Sequence, residues 1–471
     1  MLKARYSLFF LTAIAFSLPA SSLAAQTGKD LGKPKLKPRV IKRLQGQLQA
    51  WFEPQMEGDG LANRGAEQSS RGRKKIRQLN KKAREGRQSF IKALRKNDEK
   101  VGGVLGSIPD LLQIFDGCFP KKKVFSSGKI AREWTNKREK LGPYWILRPK
   151  GYQPNKNWPL VITLASRDTD KVQDYLTQLW PEGSERSKDR LIVAPELPKD
   201  HDLSTVTNIL SQREVSAERP KLSWMLKVLG RLFNVYRLDT DRIYLDAIGD
   251  STPFAMRLVS LFPDRFGGLI LRDPQGIESL TVANTHLVPI LVIGKKGEET
   301  MDKLKKQLEA GKHPQFKIIE ADGEAPYADQ GQAVFEWMKG AARNLFASTV
   351  QLQPPHDLFR KGYWIRITQG DFLNQTSEEE RPMVKAVADR EKNRIEITAR
   401  NVDQIQLFFN DALIDLSKEF TLVINGKIQK DKRTRRLLNM ANSAYLRGDS
   451  RFLFTTSAQY NVPKGETSED K

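Results

Sequence analysis

Short apolar runs that alternate with helix-like segments over residues 124–347 constrain the fold more than any other feature of the chain. Apolar runs of about 4–8 residues are typical of strands that are buried on both faces of a sheet. Their alternation with helices predicts an α/β domain, in which helices cover both faces of a mostly parallel sheet. The predicted strands span 129–136, 143–150, 159–164, 191–194, 242–248, 268–271, 290–293 and 316–319, and the predicted helices span 222–236, 253–261, 301–308 and 332–346.

Two other segments flank this unit. Residues 26–123 are polar and basic, and we expect a partly disordered helical arm with a short helix over 40–52. After the Pro354-Pro355 break, runs of β-branched and aromatic residues and an Asn425-Gly426 turn predict a small β-rich module over 348–471. We expect an antiparallel sheet or sandwich whose last strand spans 452–456. The predicted organisation is a signal peptide (1–25), the basic arm (26–123), the α/β domain (124–347) and the β-rich module (348–471).

The first 25 residues have the features of an export signal. Lys3 and Arg5 precede an apolar run over residues 8–18, and Ser22-Leu23-Ala24 offers small residues for cleavage. We therefore expect a secreted or periplasmic protein. An uncleaved membrane anchor is the alternative, which the shortness of the apolar run disfavours.

More than half of the net charge of +23 lies in the arm, where residues 29–100 hold 21 Lys and Arg against 8 Asp and Glu. Within the arm, the segment from Arg71 to Lys96 predicts an amphipathic helix whose apolar residues share one face. Such a helix is expected to bind acidic cell-surface polymers or lipid head groups. Nucleic acid is not expected, because aromatic residues for base stacking are sparse there. The alternative is a solvated basic helix that packs on its own domain.

Four stretches of the α/β segment carry a family resemblance: PYWILRPKGY (143–152), WPLVITL (158–164), LDTDRIYL (238–245) and FPDRF (262–266). Their order and spacing resemble the α/β-hydrolase superfamily, in particular secreted esterases of the polyhydroxybutyrate-depolymerase group and peptidase-like members. The resemblance implies an active site at the carboxyl ends of the strands, with a nucleophile, an acid and a histidine.

The catalytic positions that the resemblance implies are degenerate. The nucleophile of this fold stands in a Gly-x-Ser-x-Gly turn, and here the stretch AIGDS (247–251) places Gly249 at the serine position. Glu298 stands near the position of the acid, and Glu324 stands at that of the histidine. No catalytic residue is therefore expected. We interpret the chain as an inactive hydrolase-like protein with a binding or scaffolding role in the cell envelope.

Other interpretations stay open. Ser251, interpreted as a helix N-cap, or Ser166 in the oxyanion loop could replace the nucleophile. His201 is then the partner, because it follows a predicted strand, whereas His286 and His313 precede strands. The chain would then be an active esterase or peptidase.

Two further alternatives concern ligands. The carboxylates of Asp250, Glu298 and Glu324 could converge at the carboxyl edge of the sheet and hold a divalent cation. No organic cofactor is expected. In the last alternative, the chain is a polyanion-binding envelope protein whose hydrolase-like domain is only a core.

Overall fold

The computed structural model describes residues 31–63, 65–119, 124, 128–136, 140–166, 168–197, 225–355, 357–372 and 380–463. The predicted signal peptide, His201 and His356 lie outside these residues. Among the helices of the described ranges, none combines the length and the apolar character needed to cross a bilayer.

A mostly parallel sheet of eight strands forms the centre of the described chain and confirms the predicted α/β class. Its order is β1-β2-β4-β3-β5-β6-β7-β8. Strand β2 pairs antiparallel with β1 and β4, and all the other neighbours are parallel. The strands are β1 (Ile130–Asn136), β2 (Leu141–Leu147), β3 (Trp158–Leu164), β4 (Leu191–Pro195), β5 (Leu238–Ile248), β6 (Gly268–Arg272), β7 (Ile290–Lys295) and β8 (Phe316–Ala321).

Helices cover both faces of this sheet because each strand presents apolar side chains in both directions. One face packs against α5 (225–235), α6 (Thr252–Leu261), α7 (Val282–Thr285) and α8 (Glu299–Ala310). The other face packs against α4 (Val172–Leu179) and α9 (Gly331–Gly340). The helix predicted over 332–346 ends at Gly340, six residues earlier than expected. Residues 341–344 are not helical and lead into the C-terminal module.

The N-terminal segment is more ordered than expected. Its described residues form α1 (Pro38–Ala62), α2 (Ser70–Val101) and α3 (Ile108–Phe115), so the first helix is about twice as long as the predicted one. Side chains from all three helices, such as Phe52, Phe90 and Phe115, share one core. The axes of α1 and α2 approach closely at Gly86, where an added Cβ atom would lie 2.6 Å from the carbonyl oxygen of Ala50.

The C-terminal module consists of two sheets over a common core, as the spacing of its apolar runs predicts. One difference is that β13 and β15 pair in parallel, whereas an antiparallel sheet was expected. The last strand also lies later than the predicted 452–456. The sheets are β10-β11-β14-β17 and β16-β15-β13-β12-β9, formed by β9 (Thr349–Leu352), β10 (Lys361–Gly362), β11 (Ile365–Gly370), β12 (Met383–Asp389), β13 (Arg394–Arg400), β14 (Val402–Phe409), β15 (Phe420–Ile424), β16 (Lys427–Asp431) and β17 (Thr456–Asn461).

Helix α10 (Leu437–Arg447) joins the module to the N-terminal helices. Met440, Ala441 and Ala444 of α10 are buried in the core that α1, α2 and α3 form. The hydroxyl of Tyr445 donates a hydrogen bond to the carboxylate of Asp59 at 2.5 Å. The described residues 31–63 and 65–119 therefore form a packed helical unit rather than a separate arm.

A buried charged cluster joins the module to the amino-end edge of the large sheet. The guanidinium of Arg343 contacts the carboxylates of Asp449 at 2.7 Å and Asp241 at 2.8 Å. Arg343 and Asp449 are at most 1% exposed. Burial alone would lower the pKa of Arg343, but these carboxylates raise it above its ordinary value. A second pair, Arg447–Asp264 at 2.7 Å, lies beside the first.

Candidate functional site

A tight turn between β5 and α6 stands where the resemblance to α/β-hydrolases implies a nucleophile. Gly249 follows the last residue of β5 and has a φ of 52°, a left-handed conformation that favours glycine. An added Cβ atom here would have one neighbour within 4 Å, the side-chain nitrogen of Gln275 at 3.8 Å. The turn therefore has space for a side chain, and the glycine supplies none.

Ser251 is fully buried two residues further on. Its hydroxyl accepts a hydrogen bond from the N–H of Ile248 at 3.0 Å, and it lies 2.8 Å and 3.0 Å from the carbonyl oxygens of Ile248 and Leu164. Ser251 stands at the N-cap position of α6, as expected, but its side chain makes no capping hydrogen bond to that helix. The hydroxyl instead ties the turn to the end of β3.

Thr252 holds the other side of the turn and was not singled out from the sequence. Its hydroxyl donates to the carbonyl of Gly249 at 2.6 Å and accepts the N–H of Gln275 at 2.8 Å. Both hydroxyl groups next to the turn are thus engaged by backbone groups.

The acidic positions near the edge are paired with neighbours. Glu324 is 89% exposed and forms an ion pair with Lys295 at 2.9 Å. Glu298 lies beside Asp273, whose carboxylate accepts a hydrogen bond from the hydroxyl of Tyr327 at 2.6 Å. Partial burial and the neighbouring Asp273 raise the pKa of Glu298. The sequence reasoning missed Asp273 and Tyr327, although Asp273 directly follows a buried strand.

The divalent-cation hypothesis finds no geometric support. Asp250 lies within the turn itself, Glu298 contacts Asp273, and Glu324 extends into solvent. Within the part of the chain that the structure describes, no group of three or more His, Cys, Asp or Glu side chains is arranged to hold a metal ion.

A buried ion pair lies beneath the turn. Arg272, at the end of β6, contacts the carboxylate of Asp246 on β5 at 2.7 Å, and both side chains are at most 1% exposed. Arg272 also donates to the carbonyl of Pro326 at 2.8 Å, in the loop that follows β8. The pair fixes this loop against the sheet, and its two charges neutralise each other. Its signal in the sequence is an acid within the apolar run of β5 and an arginine at the end of the apolar run of β6.

The two described histidines lie at the other edge of the sheet. His286 precedes β7 and His313 precedes β8, so both stand at amino ends of strands, as expected. Burial lowers the pKa of each to about 4, and the charge of His313 adds to the effect on His286. Neither imidazole can reach Gly249 or Ser251 from this position.

Comparisons with known proteins found matches only among solved structures. No family model and no curated protein sequence matches the chain. Among solved structures, a thermostable esterase is 19% identical, with a TM-score of 0.36, over 45% of this chain and 63% of that one. An S-formylglutathione hydrolase from Staphylococcus aureus is 12% identical over 46% and 98% of the two chains, with a TM-score of 0.34. A ferulic acid esterase from Anaeromyces mucronatus is 11% identical over 47% and 94%, with a TM-score of 0.33.

The strand order, the antiparallel β2 and the tight turn after β5 decide the architecture of residues 130–340. This domain has the α/β-hydrolase fold. The chain spans 63% of the length of the thermostable esterase.

A cavity of about 530 Å³ opens beside the end of β3 in the α/β-hydrolase domain. Ser166 lines it, together with Trp145, Thr169 and an ion pair between Arg132 and Glu196 at 2.7 Å. Ser166 therefore lies at a cavity, whereas the hydroxyl of Ser251 is bound by backbone groups of Ile248 and Leu164. The proposed partner of Ser166, His201, lies outside the described residues.

Proposed function

We propose that this chain is exported and that its α/β-hydrolase domain is catalytically inactive, with a binding or scaffolding role in the cell envelope. Gly249 carries the proposal. A serine hydrolase forms its acyl intermediate on the side chain at this turn, and glycine has no atom there that could attack a carbonyl. Ser251 does not replace it, because its hydroxyl is buried and engaged by Ile248 and Leu164.

The groups at the other two catalytic positions support the same proposal. A catalytic base must exchange protons near the operating pH and lie within hydrogen-bond reach of the nucleophile. Glu324 is instead exposed and paired with Lys295, and Glu298 contacts Asp273. These contacts leave the described edge without a nucleophile–base pair.

The proposal is tested with the full-length protein and two reagents. A fluorophosphonate probe labels activated serines, and p-nitrophenyl acetate and butyrate report turnover of short acyl esters. We expect no labelling and hydrolysis no faster than in buffer, under conditions in which an active serine esterase responds to both. Stoichiometric labelling of the folded protein would contradict the proposal.

A second candidate function is an esterase or peptidase with a displaced site, and the position of Ser166 at the 530 Å³ cavity favours it. It predicts that labelling is lost in Ser166→Ala and in His201→Ala. Thr169→Val is the matched control, because Thr169 lines the same cavity. Labelling that persists in Ser166→Ala would exclude this serine as the nucleophile.

A further inference from the structure

The solvent-facing side of α2 carries a dense positive charge. Among the described residues of this helix, Glu85 and Glu99 are the only exposed acidic residues. Lys75 also contacts Glu57 of α1 at 2.7 Å. We name the following twelve exposed residues the basic ridge: Arg71, Arg73, Lys74, Lys75, Arg77, Lys81, Lys82, Arg84, Lys92, Arg95, Lys96 and Lys100.

The apolar side of α2 is already covered. Ile76, Leu79, Phe90 and Leu94 are at most 9% exposed, and Phe90 and Leu94 belong to the core shared with α1 and α10. An amphipathic helix that lies in a bilayer surface must bury its apolar face among the lipids. In this protein that face is occupied by protein, so the ridge can act only through its charges.

The ridge is long, and its side chains are spread around much of the helix circumference. Its 32-residue helix is about 48 Å long at about 1.5 Å per residue. Lys82 and Arg84 are two residues apart and therefore point in directions about 160° apart around the axis. A flat surface can touch only the crest of such a ridge, whereas a flexible chain can follow the crest and contact both flanks.

Nucleic acids fit the ridge less well than a flexible polymer without bases. Phe90 is the only aromatic residue of α2, and it is fully buried, so no aromatic side chain of this helix can stack on a base. Helix α2 is also paired with α1, and two helices of about 10–12 Å each are wider together than the major groove of DNA, about 12 Å.

We propose that the basic ridge binds a linear acidic polysaccharide, with the polymer lying along α2. Lys and Arg pair with its carboxylates or sulfates, and the release of counterions from the polymer favours association. This inference goes beyond the proposed function, because it would hold whether or not the hydrolase domain turns over an ester.

The test uses the full-length chain, since residues 31–119 share a core with α10 and their deletion would expose it. Heparin is the probe, and its affinity is measured by fluorescence anisotropy from 50 to 200 mM NaCl. With about six charge contacts, the wild-type affinity should fall roughly 100-fold or more over this range. Replacing six ridge residues by Gln should weaken binding at least tenfold at 100 mM NaCl and flatten the salt dependence. The six are Lys74, Arg77, Lys81, Arg84, Lys92 and Arg95.

The matched control removes the same net charge elsewhere and should bind like the wild type. It replaces six exposed lysines of the hydrolase domain and the module by Gln: Lys296, Lys305, Lys306, Lys312, Lys427 and Lys430. Circular dichroism confirms that both variants are folded. Equal weakening in the two variants would overturn the proposal. Tighter ridge-dependent binding to duplex DNA or to phosphatidylglycerol vesicles than to heparin would overturn it as well.

Discussion

The two edges of the large sheet differ in how the chain uses its polar side chains. At the carboxyl edge, where α/β-hydrolases have their active site, the turn contains Gly249, and Glu324 forms a solvent-exposed ion pair with Lys295. At the amino edge, Arg343 and Asp449 are almost completely buried and hold the C-terminal module against β5. Burying charges is expensive, and the amino-edge pair joins two units, whereas the buried Arg272–Asp246 pair beneath the turn joins two strands of one domain.

The α/β-hydrolase domain is thus the core to which the other units are fixed. The module attaches at the amino edge, and α10 of the module packs into the N-terminal helical unit. Both additions leave the carboxyl edge uncovered by these contacts. Substitutions at the amino edge should therefore affect assembly of the units, whereas substitutions at the turn should have smaller effects.

The largest effect is expected for Arg343→Met. The variant keeps the approximate length of the side chain but leaves the carboxylates of Asp449 and Asp241 without their main positive partner. Breaking a buried ion pair from one side costs about 3–5 kcal/mol of unfolding free energy. Urea denaturation followed by circular dichroism measures this cost.

Arg242→Met is the matched control for Arg343→Met. Arg242 also lies near the start of β5, but it is 57% exposed and contacts Asp239 at 3.3 Å. Its removal should cost less than about 1 kcal/mol. The double variant Arg343→Met, Asp449→Asn should recover part of the loss, because one of the uncompensated charges is gone. Equal costs for the two single variants would refute the special role of the amino edge.

The second-largest effect is expected at low pH, which should lower the stability of the same amino edge. The folded-state pKa values of His286 and His313 are about 4, below the ordinary value of 6.5, because burial disfavours the charged rings. His286 also faces the positive charge of Lys385 on β12 of the module. The unfolded chain therefore binds more protons between pH 6.5 and pH 4, and stability falls as the pH is lowered through this window. For His313 the loss is at most roughly 3 kcal/mol.

Melting temperatures between pH 7.5 and pH 4.5 measure this acid sensitivity. His313→Gln should flatten the profile, since an amide does not titrate and can still donate to the carbonyl of Thr285, which lies 3.0 Å from the imidazole Nε2 atom. A profile unchanged by this substitution would assign the acid sensitivity to other groups.

Much of the fold was predictable because periodicity is a local property of the sequence. Apolar runs such as 159–164 and 290–293 mark the buried strands directly. Helix α1 was underestimated, since its apolar residues are separated by Gln, Lys and Arg, and Pro54 lies inside the helix. The parallel pairing of β13 and β15 was missed because pairing depends on which distant segments meet.

The site was predictable only in part, for a similar reason. The glycine in place of serine can be read directly at position 249. The partners of the acids cannot, because Asp273 and Tyr327 are 54 residues apart and meet only in the folded chain. A charge inside an apolar strand, such as Asp246, is the one signal that points to the buried pair with Arg272.

At the carboxyl edge, Ser251→Ala tests whether Ser251 is structural. It removes the acceptor of the Ile248 N–H and the donor to the Leu164 or Ile248 carbonyl, and unsatisfied buried groups cost about 1–3 kcal/mol. Ser89→Ala on the exposed side of α2 is the control and should have little effect. We expect lower stability with no change in fluorophosphonate labelling. A fall in labelling without a fall in stability would make Ser251 the nucleophile.

The smallest effect is expected for Gly249→Ser, which restores the missing hydroxyl. A φ of 52° costs a non-glycine residue about 1 kcal/mol, and the space around the turn adds no clash. Gly249→Ala has the same backbone strain without the hydroxyl and is the matched control. We expect both variants to be unlabelled by the fluorophosphonate probe, because a serine without a base stays a weak nucleophile. Labelling of Gly249→Ser alone would show that a base and oxyanion donors remain in place, and that the domain differs from an active hydrolase by one side chain.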